Sequence, residues 1–455
     1  MEDFDVLVIG GGAANKVASA ASQAGHETAL VEPGPLGGTC LNRGCNPSKM
    51  LIQHANALNA VRDAERFRID ATVDGFDFSG IVEDVNSQLG AIAEGMAEDK
   101  RADPNLTLFD QYAEFVDDRT IELGDGTQLA GENVVVAAGS RPVVPPIDGL
   151  DAVDFITSAE ALRLESPPSE LVVLGGGYVA AELGYYFDAF GTDVTLIDML
   201  ETLVPREDRE IAEAFTDIAR ERHTVHVGYR VSEARQDGDR ITVTAENEAG
   251  EVVEASGDTL LVAAGRRPNS DTLAVEAGGI ETDDQGFVVT DGQLQTSADN
   301  VWAQGDIADN AMFKHSVDHE AEVMTANVVH GEGREIDLRA MPHAIFTEPQ
   351  IAGVGATESE LREDDREYAV GRASFPGSIM GRAKQFEHGF AKALADPESG
   401  EILGFHVLGY EASTLVHEVV PVMRMGGTVA DIADAIFAHP SLSKITRSAF
   451  QDVTN

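Results

Sequence analysis

Cysteine is almost missing from this 455-residue chain, which has only Cys40 and Cys45. A framework of structural disulfides is therefore excluded. Basic residues are also scarce, 32 against 79 acidic ones, for a net charge of -47. Such a surface repels nucleic acid and anionic membranes, so neither is an expected partner. No apolar run approaches the roughly 18 residues of a membrane span. The chain opens directly on the strand-like run Asp5-Val6-Leu7-Val8-Ile9, without the basic-then-apolar pattern of an export signal. A soluble, cytoplasmic protein is expected. What is abundant is acid, scattered over the whole length. Regular apolar strands and low proline and serine content argue against disorder despite that charge. Self-repulsion destabilises a compact acidic chain at low ionic strength, whereas molar salt shortens the Debye length to about 3 Å. The composition thus reads as adaptation to a salt-rich cytoplasm. At this length the chain exceeds what one core supports, and about two to four domains are expected.

The two cysteines share one short segment, Gly37-Gly38-Thr39-Cys40-Leu41-Asn42-Arg43-Gly44-Cys45-Asn46-Pro47-Ser48-Lys49. Thiols at this spacing can approach closely enough for a disulfide. The loop so closed is too short to restrict the unfolded chain much. A bridge there serves electron transfer better than stability; the alternative is a pair of small buried hydrophobes.

Two stretches repeat one pattern of apolar strand, glycine-rich turn, helix and second strand ending in an acid. The first runs from Val6-Leu7-Val8-Ile9 through Gly10-Gly11-Gly12-Ala13-Ala14-Asn15 to Thr28-Ala29-Leu30-Val31-Glu32. The second runs from Leu171-Val172-Val173-Leu174 through Gly175-Gly176-Gly177-Tyr178-Val179-Ala180 to Val194-Thr195-Leu196-Ile197-Asp198. Each acid lies at the distance a dinucleotide-binding βαβ unit requires. Glycines Gly10, Gly12, Gly175 and Gly177 let the backbone approach a pyrophosphate, the helix N-terminus supplies N–H donors, and Glu32 or Asp198 accepts from ribose hydroxyls. The third motif position is Asn15 in one turn and Ala180 in the other, both small enough for close helix packing.

Helices are predicted from about Ser48 to Arg66 and from Val82 to Lys100. A strand then ends in Ala137-Ala138-Gly139-Ser140-Arg141-Pro142, and this ending returns as Ala263-Ala264-Gly265-Arg266-Arg267-Pro268-Asn269. Each looks like a strand running into a turn where the chain leaves a nucleotide-binding lobe. Val301-Trp302-Ala303-Gln304-Gly305-Asp306 is a short strand whose final acid faces either a ligand hydroxyl or an ordinary turn. From about Arg339 the texture becomes α+β, with a strand at Phe405 to Gly409 and helices over Leu415 to Met425 and Val429 to Phe437. The predicted fold class is α/β, with two Rossmann-like dinucleotide-binding domains and a C-terminal α+β domain. Predicted boundaries are 1–148 and 270–338 for the two parts of one nucleotide domain, 149–269 for the other, and 339–455 for the last.

With both glycine turns, the Gly-Gly-Thr-Cys-x4-Cys-x-Pro-Ser-Lys segment and the ending Phe437-Ala438-His439-Pro440-Ser441 in view, the chain resembles the pyridine nucleotide-disulfide oxidoreductases from end to end. The resemblance implies FAD and NAD(P)H as cofactors, no metal site, and a homodimer whose active site is shared between subunits. Gly10, Gly12 and Glu32 would hold the adenosine half of FAD and Asp306 its ribitol side, and Gly139 and Gly265, where strands leave the nucleotide lobes, would be cofactor-binding too. Lys49 would sit by the flavin and pair with Glu182; Tyr178 would cover the nicotinamide pocket. Cys45 would face the flavin and Cys40 would attack the substrate disulfide. His439, reaching across from the other subunit, would act as acid and base.

One departure accompanies this. The family usually has a glutamate five residues beyond the histidine, where this chain has Lys444, and a lysine cannot accept an imidazole N–H. Mercuric reductases and large thioredoxin reductases fit poorly, because no further cysteines exist for their additional thiols. The opening with Asn15, the run His319-Glu320-Ala321 and Phe346-Thr347-Glu348-Pro349 are similar to mycothione reductases. For a salt-adapted chain they imply a reductase of bis-γ-glutamylcystine or another low-molecular-weight disulfide. Dihydrolipoamide dehydrogenase is the alternative, and a non-catalytic flavin-binding subunit a more remote one. Asp198 sits where a carboxylate binds the 2′-hydroxyl of NADH. Small-thiol reductases resemble NADPH users, and Arg206 lies close enough to meet the extra phosphate, so NADPH is expected, with NADH the alternative.

Overall fold

The run Val6–Ile9 is wholly buried at the centre of a parallel sheet in the computed structural model, which describes residues 1–308 and 311–454. Strands Leu106–Phe109, Thr28–Val31, Glu2–Ile9 and Gln128–Val136 lie side by side in parallel, and Val301–Ala303 joins parallel to Gln128–Val136. Thr120–Leu123 and Ala113–Asp117 extend this sheet antiparallel. A strand buried on both faces reads as an unbroken apolar run. Accordingly, Leu7, Ile9, Val134 and Val136 enter one core while Val6, Val8 and Val135 enter another. Each such side chain contributes about 1.5–3 kcal/mol by leaving water. The helix Asn15–Gln23 covers the second core with Val17, Ala18 and Ala21.

Contacts divide the chain into two units: residues 1–50, 80–143 and 265–338 form one, and 51–79, 144–264 and 339–455 the other. In the second unit, Thr224–Val227, Asp193–Asp198, Glu170–Leu174, Thr259–Val262 and Phe155–Ile156 form a parallel sheet. A three-stranded antiparallel sheet, Tyr229–Asp237, Arg240–Asn247 and Val252–Gly257, shares its core through Val243, Ala245 and Ala255. From Pro342 onward, five antiparallel strands run in the order Pro342–Ile345, Gln350–Gly355, Ile402–Gly409, Phe390–Ala395, Ala369–Ser374. The helix Ser443–Val453 lies on this sheet, and the Phe405 and Phe450 rings stack at 5.6 Å. The fold class is α/β as expected.

One buried charge cluster ties this unit together. The ammonium of Lys392, 0% exposed, donates to Asp208 at 2.8 Å and to Glu358 at 2.6 Å. Asp208 also accepts from the N–H of Glu358 at 3.1 Å and caps the helix Arg209–Arg220 through the Glu210 N–H at 3.2 Å. Removing one partner from such a cluster costs about 3–5 kcal/mol, because a buried charge is left uncompensated.

The helices predicted at Ser48–Arg66 and Val82–Lys100 appear as Cys45–Arg62, followed by a short turn of 3-10 helix, and as Phe78–Ala102. Two C-terminal helices are shorter than predicted. The run Leu415 to Met425 is split into Ala412–Leu415, Val416–Glu418 and Val420–Arg424, since Pro421 has no N–H for a continuous ladder. The helix beginning at Val429 ends at Ala433 instead of Phe437, and the Ala433 carbonyl accepts from Arg447 at 2.9 Å and Gln451 at 3.2 Å. Ile436, 99% exposed, has no core to join.

Candidate active site

The first glycine turn follows from a steric requirement. Gly10 has φ +114°, and a Cβ there would stand 2.2 Å from the Ala137 carbonyl oxygen. Gly175 solves the same problem with φ +118° and a gap of 2.4 Å to the Ala263 oxygen. The repeated Val-Ala-Ala-Gly endings are therefore the strand ends against which the two turns close. By contrast, a Cβ on Gly12 or Gly177 would meet nothing within 4 Å. Among the described residues no packing demands glycine there, and the open space suits a ligand lying on the turn. On this observation the residues present fit bound dinucleotides.

Glu32 accepts from the Gly11 N–H at 2.7 Å and from Gly34 at 3.0 Å. Burial raises its pKa above the ordinary carboxyl value, against the pull of those two amides and of Arg43. Asp198 repeats the grip, accepting from Gly176 at 2.5 Å and Leu200 at 2.7 Å, and burial raises it too. Each acid thus shapes its turn. Asn15 is 8% exposed and donates its side-chain amide to the Gly12 carbonyl, which explains a polar residue at that motif position.

The thiol segment sits on the first turn. The Gly37 N–H donates to the Gly11 carbonyl at 2.8 Å, and a Cβ on Gly38 would lie 2.9 Å from the Gly12 Cα. Cys40 stands in the short helix Gly38–Arg43, and Cys45 opens the helix Cys45–Arg62. Asn42 anchors the approach by donating to the carbonyls of Pro35, Leu36 and Gly38 at 3.0–3.1 Å. Cys40 and Cys45 are within hydrogen-bonding reach: that bond and then burial push the Cys40 thiol up, while Lys314 and Lys49 pull it down. Cys40 also donates to Asn46 at 3.5 Å.

Asp306 lies in the turn Gly305–Ile307 and accepts from the Ser140 hydroxyl at 2.6 Å. Arg266 donates to the same hydroxyl and to the Ser140 carbonyl, both at 2.7 Å. The two repeated endings in fact pair antiparallel, Ser140–Pro142 with Arg266–Pro268, and Asn269 donates to the Ala138 carbonyl at 2.8 Å. Gly139 accepts from the Asn269 N–H at 3.0 Å and Gly265 from the Val143 N–H at 2.9 Å. Beside Asp306, Glu320 is buried and accepts from the Gly305 N–H at 2.6 Å; burial, with Asp306 adding to it, lifts its pKa to about 7. Its second oxygen and both amide atoms of Gln304 are buried without a hydrogen-bond partner among the described residues.

Cys40, Cys45, Lys49, Gly10, Gly12, Glu32, Gly139, Gly265 and Asp306 belong to the first unit, and Glu182, Gly175, Gly177, Tyr178, Asp198, Arg206 and His439 to the second. Glu182 is 3% exposed and accepts from the Phe346 N–H at 2.9 Å. Tyr178 begins the helix Tyr178–Ala189 and is 43% exposed. Arg206 is exposed on the loop that the Val204 N–H ties to the Gly176 carbonyl at 2.7 Å. His439 is exposed and Lys444 half-buried. Ser140 and Arg266 were legible only as parts of a repeated ending, and nothing in the pattern marks Lys314 except the rarity of lysine. Among the described residues no helix is long and apolar enough to cross a membrane.

The pyridine nucleotide-disulphide oxidoreductase family profile matches residues 4–359, and that family's dimerisation-domain profile matches residues 341–449. A dihydrolipoyl dehydrogenase of Halobacterium salinarum is 37% identical, over 98% of this chain and 95% of its own. A mycothione reductase of Mycobacterium tuberculosis is 34% identical over 99% of both chains. In structure, the HOCl-induced flavoprotein disulfide reductase RclA from Escherichia coli superposes with a TM-score of 0.87 at 28% identity, covering 98% of this chain and 99% of that one. The halophilic archaeal relatives agree with the salt adaptation read from the charge. Two glycine turns built to one plan, with a thiol pair seated on the first, are thus matched along nearly the whole chain: it belongs to the pyridine nucleotide-disulphide oxidoreductases, enzymes that use FAD and NAD(P)H.

Proposed function

We propose that this enzyme reduces an acidic low-molecular-weight disulfide, bis-γ-glutamylcystine, with NADPH. The observation that carries the outlet is the chain's sole cysteine pair, held within hydrogen-bonding reach on the FAD-type glycine turn. Bound FAD supplies two-electron transfer between the nicotinamide and this thiol pair. Cys40 attacks the substrate disulfide, giving a mixed disulfide and one free thiol; Cys45 then attacks Cys40, releasing the second thiol and closing the Cys40–Cys45 bridge. In the homodimer, His439 of the opposite subunit donates the proton that the leaving thiolate needs. Lys49 lies at the flavin, and Tyr178 screens the nicotinamide position. Gly10, Gly12, Glu32 and Asp306 bind FAD; Gly175, Gly177 and Asp198 bind the nicotinamide nucleotide.

Arg206 supports NADPH, since its loop is fastened to the Gly176 turn and its guanidinium has no hydrogen-bond or ion-pair partner among the described residues. A guanidinium there is suited to a 2′-phosphate. The small-thiol reading rests on Asn15 and Lys444 and on the likeness to mycothione reductase. Dihydrolipoamide oxidation is the second reading, favoured by the Halobacterium relative and by the carboxylate of Asp198. Steady-state assays in molar KCl with bis-γ-glutamylcystine, lipoamide and glutathione disulfide, each with both nicotinamides, separate them. Higher kcat/KM for bis-γ-glutamylcystine with NADPH is expected; a large preference for lipoamide with NADH would replace this reading.

A further inference from the structure

The chain has only seven lysines in 455 residues, yet three of them gather in one neighbourhood of the first unit. Lys49 and Lys314 both act electrostatically on Cys40. Lys314 opens the helix Lys314–Met324 and pairs with Asp318 one turn further on. Lys16, in the first turn of the helix Asn15–Gln23, meets the same Asp318 oxygen at 2.6 Å. Against burial, which would push it up, hydrogen bonds from the two lysines hold the Asp318 carboxyl below the usual range. The cluster stays open to ligand: side-chain exposure is 57% for Lys16, 36% for Lys314 and 34% for Asp318. Among the described residues two ammonium groups share the one Asp318 carboxylate, and the Lys314 end of this group acts on Cys40, in a protein whose net charge is -47.

Ordinary ion-pair decoration does not account for this. On an acidic surface a lysine is easily matched by an acid of its own, and an exposed pair is worth little in molar salt. Doubling lysines on one acid, with so few lysines available, leaves donors that a ligand carboxylate can accept from directly. Contact of that kind survives salt better than long-range steering does, because it acts within the Debye length.

We infer that Lys16 and Lys314, bridged by Asp318, form the specificity-determining subsite that takes a carboxylate of the incoming disulfide at Cys40. This deepens the small-thiol reading above and rests on it for the physiological ligand; the subsite itself is tested without that ligand. In a Cys45→Ser background, where Cys40 is the chain's single thiol, the FAD-loaded enzyme is alkylated in molar KCl with iodoacetate and with iodoacetamide. The two reagents differ only in carboxylate against amide, so a change in thiol acidity affects both and cancels in the rate ratio. The ratio of iodoacetate to iodoacetamide rates is expected to fall about tenfold in Lys16→Gln/Lys314→Gln, the effect of losing a charge-assisted contact. Asp318→Asn, which frees both lysines, is expected to raise it. An unchanged ratio in the double-lysine variant overturns the inference, as does a fall in Asp318→Asn. Turnover with bis-γ-glutamylcystine is read separately. Its absence would remove the proposed substrate while the alkylation ratio still decides the lysines.

Discussion

The two glycine turns are the same device used twice, and their differences show where each is specialised. In both, a glycine at φ near +115° closes against a neighbouring strand-end carbonyl, and an acid grips the next glycine's N–H. The first turn has additional loads: Asn15 bonds back to Gly12, and the segment bearing Cys40 rests on Gly11 and Gly12. The second carries an alanine at the matching position and is backed by the Val204 loop that bears Arg206. Binding geometry is therefore shared, whereas chemistry is attached to only one of the copies. A dinucleotide turn becomes a redox site when a thiol segment is built onto it.

The largest expected effect separates what the backbone needs from what a ligand needs. Gly10→Ala and Gly175→Ala each force a Cβ into a carbonyl oxygen at positive φ, costing at least about 1–2 kcal/mol from the dihedral alone and more from the collision. Gly10→Ala should yield protein without flavin, and Gly175→Ala protein that keeps flavin but is not reduced by NADPH. Absorbance at purification and anaerobic titration read both, and a Gly10→Ala enzyme with full flavin would show that the first turn tolerates a side chain at this glycine.

Gly12→Val and Gly177→Val come next, since a Cβ there meets no atom within 4 Å among the described residues. Thermal stability of the flavin-free proteins should match wild type within about 1 kcal/mol. Affinity should fall at least about tenfold, for FAD in Gly12→Val and for NADPH in Gly177→Val. Loss of folding in either variant would mean that the protein core, not a cofactor, demands the glycine.

Glu320 sharpens the contrast through pH. Its folded pKa of about 7 lies above the ordinary carboxyl value, so the native state binds the extra proton. Its contribution is present below the unfolded pKa and is lost as pH rises through about 7. Wild-type stability should therefore decline over that window by up to about 3 kcal/mol, and Glu320→Gln should flatten the slope. Denaturant midpoints at pH 5, 6, 7 and 8 measure it; an unaltered slope in Glu320→Gln would place the titration elsewhere. The smallest effect is Arg206→Gln, expected to raise the KM for NADPH roughly fivefold to tenfold and to leave that for NADH unchanged.

Both turns were legible from their strands because Val6–Ile9 and Leu171–Leu174 are buried on each face and carry no competing pattern. The thiol segment was legible from its spacing. Harder to read were places where a long-range partner decides the outcome. The helix from Val429 stops early because Arg447 and Gln451 take the Ala433 carbonyl. The Lys392 cluster joins residues more than 180 positions apart, Asp208 among them. The Lys16–Asp318–Lys314 group likewise brings together segments some 300 residues apart that no local periodicity relates.

The most direct test is an anaerobic NADPH titration of wild type beside Cys40→Ser. If electrons leave through the thiol pair, wild type takes up about two hydride equivalents per bound FAD, one of them stored in the sulfurs, and Cys40→Ser takes up about one while losing disulfide turnover. Equal uptake by both proteins, or retained disulfide reduction by Cys40→Ser, would contradict the account.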